Sequence, residues 1–161
     1  MGGVTGAAHP VPTRAFLLAY PVVLGQRLTE HTEDVLRELT LIRLGTTHPA
    51  AREVPERLQV MVDSLAGRYA REIDEADSVR EGAAVRGERT CDLSYPVLPE
   101  TAAVVRGWQA MSLQVDAFCR SEQLLTLALP PDLRALQDWV CDELVGQAAG
   151  GRPHAWSGPL R

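Results

Sequence analysis

Four stretches of the chain carry apolar side chains at the spacing of an amphipathic helix. They begin near Gln26, Val54, Glu100 and Pro130. The four stripes are Leu28, Val35, Leu36, Leu39 and Ile42; Leu58, Met61, Val62, Leu65 and Tyr69; Val104, Trp108, Met111, Val115 and Phe118; and Leu133, Leu136, Val140 and Leu144. Because an amphipathic helix needs a surface on which to bury its stripe, four stripes in one short chain predict a helical bundle.

Two shorter segments have the pattern of strands. The apolar run from Arg14 to Leu24 predicts a first strand that ends at Gly25. The stretch from Thr90 to Tyr95 alternates well enough for a second strand, which two prolines, Pro96 and Pro99, are expected to stop. The predicted fold class is therefore α+β and predominantly α-helical, with about four helices packed as a bundle and a small two- or three-stranded sheet.

The chain divides into one body and two terminal segments. Its 161 residues fit a single domain. Residues 1–13, rich in Gly, Ala and Pro, predict a flexible N-terminal arm. Residues 14–149 predict a single globular domain, in which 124–129 fit either a strand or an apolar connector, and residues 150–161 predict an extended C-terminal tail.

The composition removes several kinds of chemistry. The chain contains no lysine and no asparagine, so its 16 Lys-or-Arg residues are all arginine. A P-loop needs its lysine, Schiff-base catalysis needs a lysine amine, and a Cys-His-Asn triad needs its asparagine. The formal net charge is −5 and no cluster of arginines forms a basic face, so we expect no binding to nucleic acid.

The cysteines and the first apolar run bear on the compartment. Cys91, Cys119 and Cys141 have no CxxC spacing, which favours buried thiols over structural zinc and indicates a reducing compartment. The run from Ala15 to Leu24 has ten residues, too few to span a bilayer, and Pro21 interrupts it. A strand fits this run better than a signal peptide, so we expect a cytoplasmic protein without a membrane segment.

Titratable side chains show no catalytic or metal-binding spacing. The histidines are His9, His31, His48 and His154, and no pair has the HxxxH spacing of a helical metal site. His31 is expected on a solvated helix face and His48 in a loop. The carboxylates Glu72, Asp74, Glu75 and Asp77 alternate with arginine on a helix, which favours a solvated face over a calcium loop. We therefore predict no catalytic, cofactor-binding or metal-binding residue.

Two surfaces are candidates for contact with a partner. One is the charged extension of the second helix, where Arg71 and Glu75 are four residues apart. The other is the tail around His154 and Trp156. Trp156 either folds back onto the core or stays exposed as an aromatic anchor for a partner.

Three stretches carry a likeness to a known group of proteins: Val35–Leu39, Asp92–Pro96, and Ala117–Leu127, the last running into the Pro-Pro-Asp helix and the Pro-His-Ala-Trp tail. Together they make the chain, over most of residues 14–159, similar to small actinobacterial proteins associated with anti-sigma-factor partner-switching modules. Such modules combine an ATP-binding kinase, an antagonist that it phosphorylates and often a phosphatase. The resemblance implies a regulatory, protein-binding role and assigns no active-site residue. Because those kinases hold magnesium through an asparagine, this chain is expected to be an accessory or sensory partner rather than the kinase.

The sequence thus favours a non-catalytic regulatory module that binds another protein. One alternative is a small-molecule sensor or enzyme with a pocket between helices and sheet, lined by Tyr95, His48 and helix carboxylates. A structural homodimer is the third candidate. A concave site with convergent polar groups would favour the ligand-binding alternative, and a closed apolar interior would favour the protein-binding one.

Overall fold

A computed structural model describes residues 13–45, 60, 74–120, 126 and 128–161. In chain order the elements are β1 (Thr13–Pro21), α1 (Val22–Gly45), α2 (helical residues 74–85), β2 (Thr90–Val97), α3 (Thr101–Arg120) and α4 (Pro131–Ala148). The predicted class is confirmed: the fold is α+β, predominantly helical, with a two-stranded antiparallel sheet. The last two helices, α3 and α4, begin within one residue of the predicted Glu100 and Pro130.

The first strand is shorter than predicted. β1 ends at Pro21 and α1 begins directly at Val22, so the predictions of a strand through Leu24 and of Gly25 as its terminator are wrong. Val22 and Leu24 are buried in the helix as deeply as the strand residues before them, so hydropathy does not change at the boundary. Gly25 serves close packing instead, because a Cβ there would lie 2.6 Å from the Tyr20 hydroxyl oxygen.

The second strand passes through a proline. β2 pairs antiparallel with β1, from Thr13 opposite Val97 to Pro21 opposite Thr90. Pro96 lies opposite Arg14 inside this ladder, so the prediction that it stops the strand is wrong. In a two-stranded sheet each strand has a free edge, and a residue without an N–H is tolerated there.

The second helix ends at residue 85, between the two glycines, Gly82 and Gly87, that the sequence predicts to bracket its end. Gly87 follows with a φ of 71°, and the amide of Glu88 donates to the carbonyl of Ala83 at 2.9 Å. This is the Schellman arrangement that commonly terminates a helix. Of the stretch 124–129, Thr126, Ala128 and Leu129 are neither helix nor strand, and the rest lies outside the described residues.

Two hydrophobic cores hold the elements together. The first core lies where the sheet meets α1, α2 and α4, and consists of Leu17, Tyr20, Leu24, Ala76, Leu93, Leu129, Leu133 and Leu136. Trp139 and Trp156 pack against it. The second core is smaller, lies between α1 and α3, and consists of Val35, Met111, Val115 and Cys119, with Trp108 and Leu36 packed against it.

Candidate functional site

The C-terminal tail, residues 151–161, has no helix or strand of its own and turns back onto the domain. Gly150, with a φ of 87°, ends α4, and the amide of Gly151 donates to the carbonyl of Gly146 at 2.9 Å. A side chain at residue 150 would be strained in this left-handed conformation. The Gly-Gly pair therefore sets the direction in which the tail leaves the helix.

Trp156 takes the fold-back alternative. Its amide donates to the carbonyl of Leu18 at 2.9 Å, and its ring meets that of Trp139 edge to face at 5.4 Å between centroids. Its indole N–H donates to the carbonyl of Pro159 at 2.8 Å. Aromatic pairs in this geometry stabilise by about 1 kcal/mol beyond the area that they bury.

A side-chain amide completes the free edge of β1. Gln147 Nε2 donates to the carbonyl of Phe16 at 2.8 Å, and the amide of Phe16 donates back to Gln147 Oε1 at 2.8 Å. This pair imitates a strand-to-strand hydrogen-bond exchange on an edge that would otherwise be open. The buried carboxylate of Glu143 accepts from Gln147 Nε2 at 2.9 Å and from the amide of His154 at 3.0 Å.

A bulge in β1 presents Leu18 to the tail. Leu18 and Ala19 together oppose a single residue, Asp92, because the register shifts between Leu17 and Tyr20. Ala19 has a φ of 53°, and its amide donates to Asp92 Oδ1 at 2.7 Å. The bulge turns the Leu18 carbonyl outward, where the tail's amide meets it.

The sequence-predicted contact residues are therefore dispersed. His154 Nδ1 lies 3.1 Å from Glu143 Oε1 while its side chain is 79% exposed. Glu75 is exposed on α2. Arg71 and His48 lie outside the described residues. Tyr95 is half-buried against the first core, and burial raises its pKa above the usual range, so it belongs to the interior.

An open groove separates α1 from α2. It has a volume of about 420 Å³ and is lined by Val22, Gln26, Thr29, Glu30 and Glu33 of α1 and by Arg80, Glu81, Ala84 and Val85 of α2. Arg80 is already paired with Asp77 at 3.0 Å. Neither Glu33 nor Glu81 has an ion-pair partner in the described part of the chain. The groove is therefore acidic on both walls.

A second concave site, the cleft, lies between α1, α3 and α4 beside the second core. Its volume is about 40 Å³. It is lined by His31, Thr32, Val35 and Leu36 of α1, by Trp108, Ser112, Val115 and Asp116 of α3, and by Leu129 and Gln137. Asp116 and Gln137 are buried and form the floor, whereas His31 and Trp108 are half-buried and form the rim.

Buried polar groups on the floor hold one another. Asp116 forms an ion pair with Arg134 and accepts a hydrogen bond from the amide of Leu129 at 3.0 Å. Gln137 Oε1 accepts from Ser112 Oγ at 2.9 Å and from Arg134 Nη1 at 2.7 Å. The positive charge of Arg134 is thus already matched inside the protein.

The rim histidine is biased towards its neutral form. Burial lowers the pKa of His31, an effect opposed by the carboxylates of Asp116 and Asp34 and reinforced by the Arg134 guanidinium. The sequence predicted a solvated face for His31, whereas the structure places its ring beside a cavity with an acidic floor. A neutral imidazole carries both a hydrogen-bond donor and an acceptor.

The sequence analysis missed several buried polar residues of these sites, although their spacing along the helices could have identified them. Glu143 and Gln147, and likewise Ser112 and Asp116, are polar pairs four residues apart, on faces that also carry buried apolar residues. Polar residues four apart share a helix face. A polar pair inside an apolar stripe therefore marks a buried network.

Among the described residues no three His, Cys, Asp or Glu side chains converge as a metal site would require. No helix in the described ranges combines the length and the hydropathy needed to cross a bilayer. Comparison of the chain with protein-family models, with curated proteins and with solved structures finds no match.

Proposed function

We propose that this chain is a non-catalytic regulatory module that binds another protein through the groove between α1 and α2. The observation that carries the proposal is the charge of the two walls. Glu30, Glu33 and Glu81 line the groove, and its arginine, Arg80, is paired with Asp77. Opposite charges steer association and set register, so the groove favours a partner segment that is basic.

The groove also offers apolar surface. Val85 is 89% exposed at its α2 wall, and Val79 is exposed on the same helix. The described part of α2 carries four acidic residues and a single arginine. A partner segment that combines arginine or lysine with apolar side chains would satisfy both features, as an amphipathic helix in a groove does.

The setting we propose is the one that the resemblance implies, an accessory protein of an anti-sigma-factor partner switch in the cytoplasm. Support comes from Val35–Leu39, Asp92–Pro96 and Ala117–Leu127, and from the acidic groove, which is a surface suited to a regulatory contact. A homodimer through the same groove is disfavoured by charge, since two acidic faces would repel.

The experiment is affinity capture followed by identification and titration. A captured protein is identified by mass spectrometry, purified and titrated against the wild type and a triple variant, Glu30→Arg, Glu33→Arg and Glu81→Arg. We expect the triple variant to lose at least about tenfold in affinity, and the wild type to bind more weakly at high salt. Asp142→Arg, at an exposed acid of α4 outside the groove, is the matched control and should bind as the wild type does.

The two contact surfaces predicted from the sequence, the tail and the charged extension of the second helix, are tested in the same titration. Trp156→Ala removes the ring that holds the tail, and Glu75→Arg reverses an exposed charge on α2. Undiminished binding of both variants would remove the tail and Glu75 from the interface. Equal binding by the triple groove variant and the Asp142→Arg control would refute the groove.

A second candidate function, a small-molecule sensor, is favoured by the cleft. Its floor brings Asp116 and Gln137 together beneath His31 and Trp108, which is a concave site with convergent polar groups and a displaced histidine pKa. Sites of this kind are typical of ligand binding. The cleft and the groove share no lining residue, so a single chain has room for both functions.

A further inference from the structure

Some polar groups that line the cleft have no protein partner among the described residues. Gln137 is 7% exposed, and although its Oε1 accepts two hydrogen bonds, its Nε2 donates none within the described part of the chain. The ring nitrogens of His31 and the indole N–H of Trp108 likewise have no partner there. Water reaches these groups in the free protein, because the enclosed side-chain nitrogen that lacks a partner among the described residues is Trp139 Nε1. A ligand that supplies an acceptor would therefore take the place of water at these donors.

The charges around the cleft favour an uncharged ligand. The carboxylate of Asp116 lies on the floor and would repel an anion. The half-buried guanidinium beside it, that of Arg134, is engaged by Asp116 and by Gln137 Oε1. A ligand cation would in turn meet that guanidinium. Transfer of an unmatched charge into such a site is strongly unfavourable.

The size of the cavity narrows the ligand further. About 40 Å³ is the space of about three water-sized groups. A primary carboxamide has three heavy atoms and offers one acceptor oxygen beside N–H donors. Apolar lining residues that include Val35, Leu36, Val115 and the Trp108 ring suit a flat apolar body at the half-buried rim.

We propose that the cleft binds a small uncharged molecule that carries a carboxamide on a planar, apolar body. The carbonyl oxygen accepts a hydrogen bond from Gln137 Nε2, and the ligand's N–H donates to a ring nitrogen of His31. The planar body lies against Trp108. This inference names the ligand class of the sensor candidate and rests on the cleft alone, so it stands or fails independently of the groove.

The test uses benzamide as the probe, with benzoate and toluene as matched compounds of similar size. The chain has three tryptophans, so a two-dimensional ¹H–¹⁵N spectrum shows three indole signals, and Trp108→Phe assigns the relevant one. Benzamide should shift the Trp108 signal saturably and leave those of Trp139 and Trp156 in place. Benzoate and toluene should bind at least about tenfold more weakly, since one adds a charge and the other lacks the hydrogen-bonding group.

Two variants locate the contacts. Gln137→Leu should weaken benzamide binding by about tenfold or more, because the donor on the floor is removed. Since Gln137 also accepts from Ser112 and Arg134, His31→Phe provides a second variant at a half-buried position, with an expected loss of about tenfold. His154→Phe removes an imidazole outside the cleft and should bind benzamide as the wild type does.

Three results would overturn the assignment. One is a Trp108 signal that stays unshifted up to the solubility limit of benzamide. Another is binding of benzoate or toluene as tight as that of benzamide, which would refute the carboxamide. The third is equal binding by His31→Phe and His154→Phe, which would place the probe elsewhere. None of these measurements involves a protein partner, so none bears on the groove.

Discussion

The first core and the second core differ in how the polar groups around them are used. Around the first core, Gln147 is hydrogen-bonded to β1 and to Glu143, and Glu143 is hydrogen-bonded to the tail. The ring of Trp156 packs against that of Trp139. Around the second core, the floor amide of Gln137 and the ring of His31 keep hydrogen-bonding capacity facing a cavity.

This difference separates two tasks within one small domain. A region in which polar groups satisfy one another contributes stability and rigidity, whereas a region that leaves water-accessible polar groups beside a cavity keeps them available to a ligand. The first core has an exception, because Trp139 Nε1 is buried there without a partner in the described part of the chain. Trp139 lines neither the groove nor the cleft.

The largest expected effect comes from truncating the two cores. Leu136 is fully buried in the first core, so Leu136→Ala leaves a cavity that its neighbours cannot fill, and we expect a loss of about 4 kcal/mol in the free energy of unfolding. Met111→Ala in the second core should cost about 2 kcal/mol, because packing beside the cleft is already incomplete. Urea unfolding measures both.

Leu113→Ala, at an exposed position of α3, is the control and should change stability by less than about 0.5 kcal/mol. Equal losses for Leu136→Ala and Met111→Ala would show that the two cores are packed equally well, which would contradict this prediction.

A smaller effect is expected from the side chain that completes β1. Gln147→Ala deletes both hydrogen bonds to Phe16 and one to Glu143, and should cost about 2–3 kcal/mol by urea unfolding. Hydrogen exchange at the Phe16 amide should accelerate in the same variant. Gln114→Ala, at an exposed position of α3, is the matched control. If Gln147→Ala were as stable as this control, water would replace the hydrogen bonds of the glutamine without loss of stability.

The helical architecture was predictable because an apolar stripe reports a buried helix face directly. The strand boundaries were not predictable. The apolar run continues from β1 into α1, and Val22 and Leu24 in the helix are as buried as Leu17 in the strand. Hydropathy alone has no signal for such a change of conformation. The end of β2 was predicted wrongly at Pro96 because a strand tolerates a proline when one of its edges is free, which depends on the number of strands in the sheet.

The candidate sites were less predictable than the fold. His31 was assigned to a solvated face because Glu30, Glu33 and Asp34 surround it in the sequence, but the cleft is formed by α3 and α4, which are distant along the chain. Arg134 and Asp116 meet across two helices in the same way. Trp156 left two alternatives open, and the choice between them depends on Leu18 and Trp139, more than a dozen residues away.

A pH-dependent effect should separate the cleft from the rest of the molecule. Because burial lowers the pKa of His31, the unfolded chain binds the proton more readily than the folded chain once the pH falls below the ordinary value of 6.5. Above that value both states are neutral and His31 contributes nothing. The free energy of unfolding should therefore fall with decreasing pH from about 6.5 down to the folded pKa, and level off below it.

The measurement is urea unfolding of the wild type and of His31→Gln between about pH 8 and about pH 5. The difference in the free energy of unfolding between the two proteins should be constant above about pH 7. At lower pH the wild type should lose stability relative to the variant. Parallel profiles over the whole range would mean that the His31 ring is as hydrated in the folded state as in the unfolded one.

The smallest perturbation changes no residue and uses the native thiols as reporters. Cys119 lies in the second core, whereas Cys141 is buried on α4, the helix that carries Leu133 and Leu136 of the first core. Burial raises the pKa of both thiols, that of Cys141 to about 11, so at about pH 8 about a thousandth of the Cys141 side chains are thiolate.

Alkylation by iodoacetamide, followed by mass spectrometry, should modify the half-buried Cys91 first, then Cys119, and Cys141 last, because α4 opens only when the first core does. If Cys141 reacted before Cys119, the region beside the cleft would be the more tightly closed of the two.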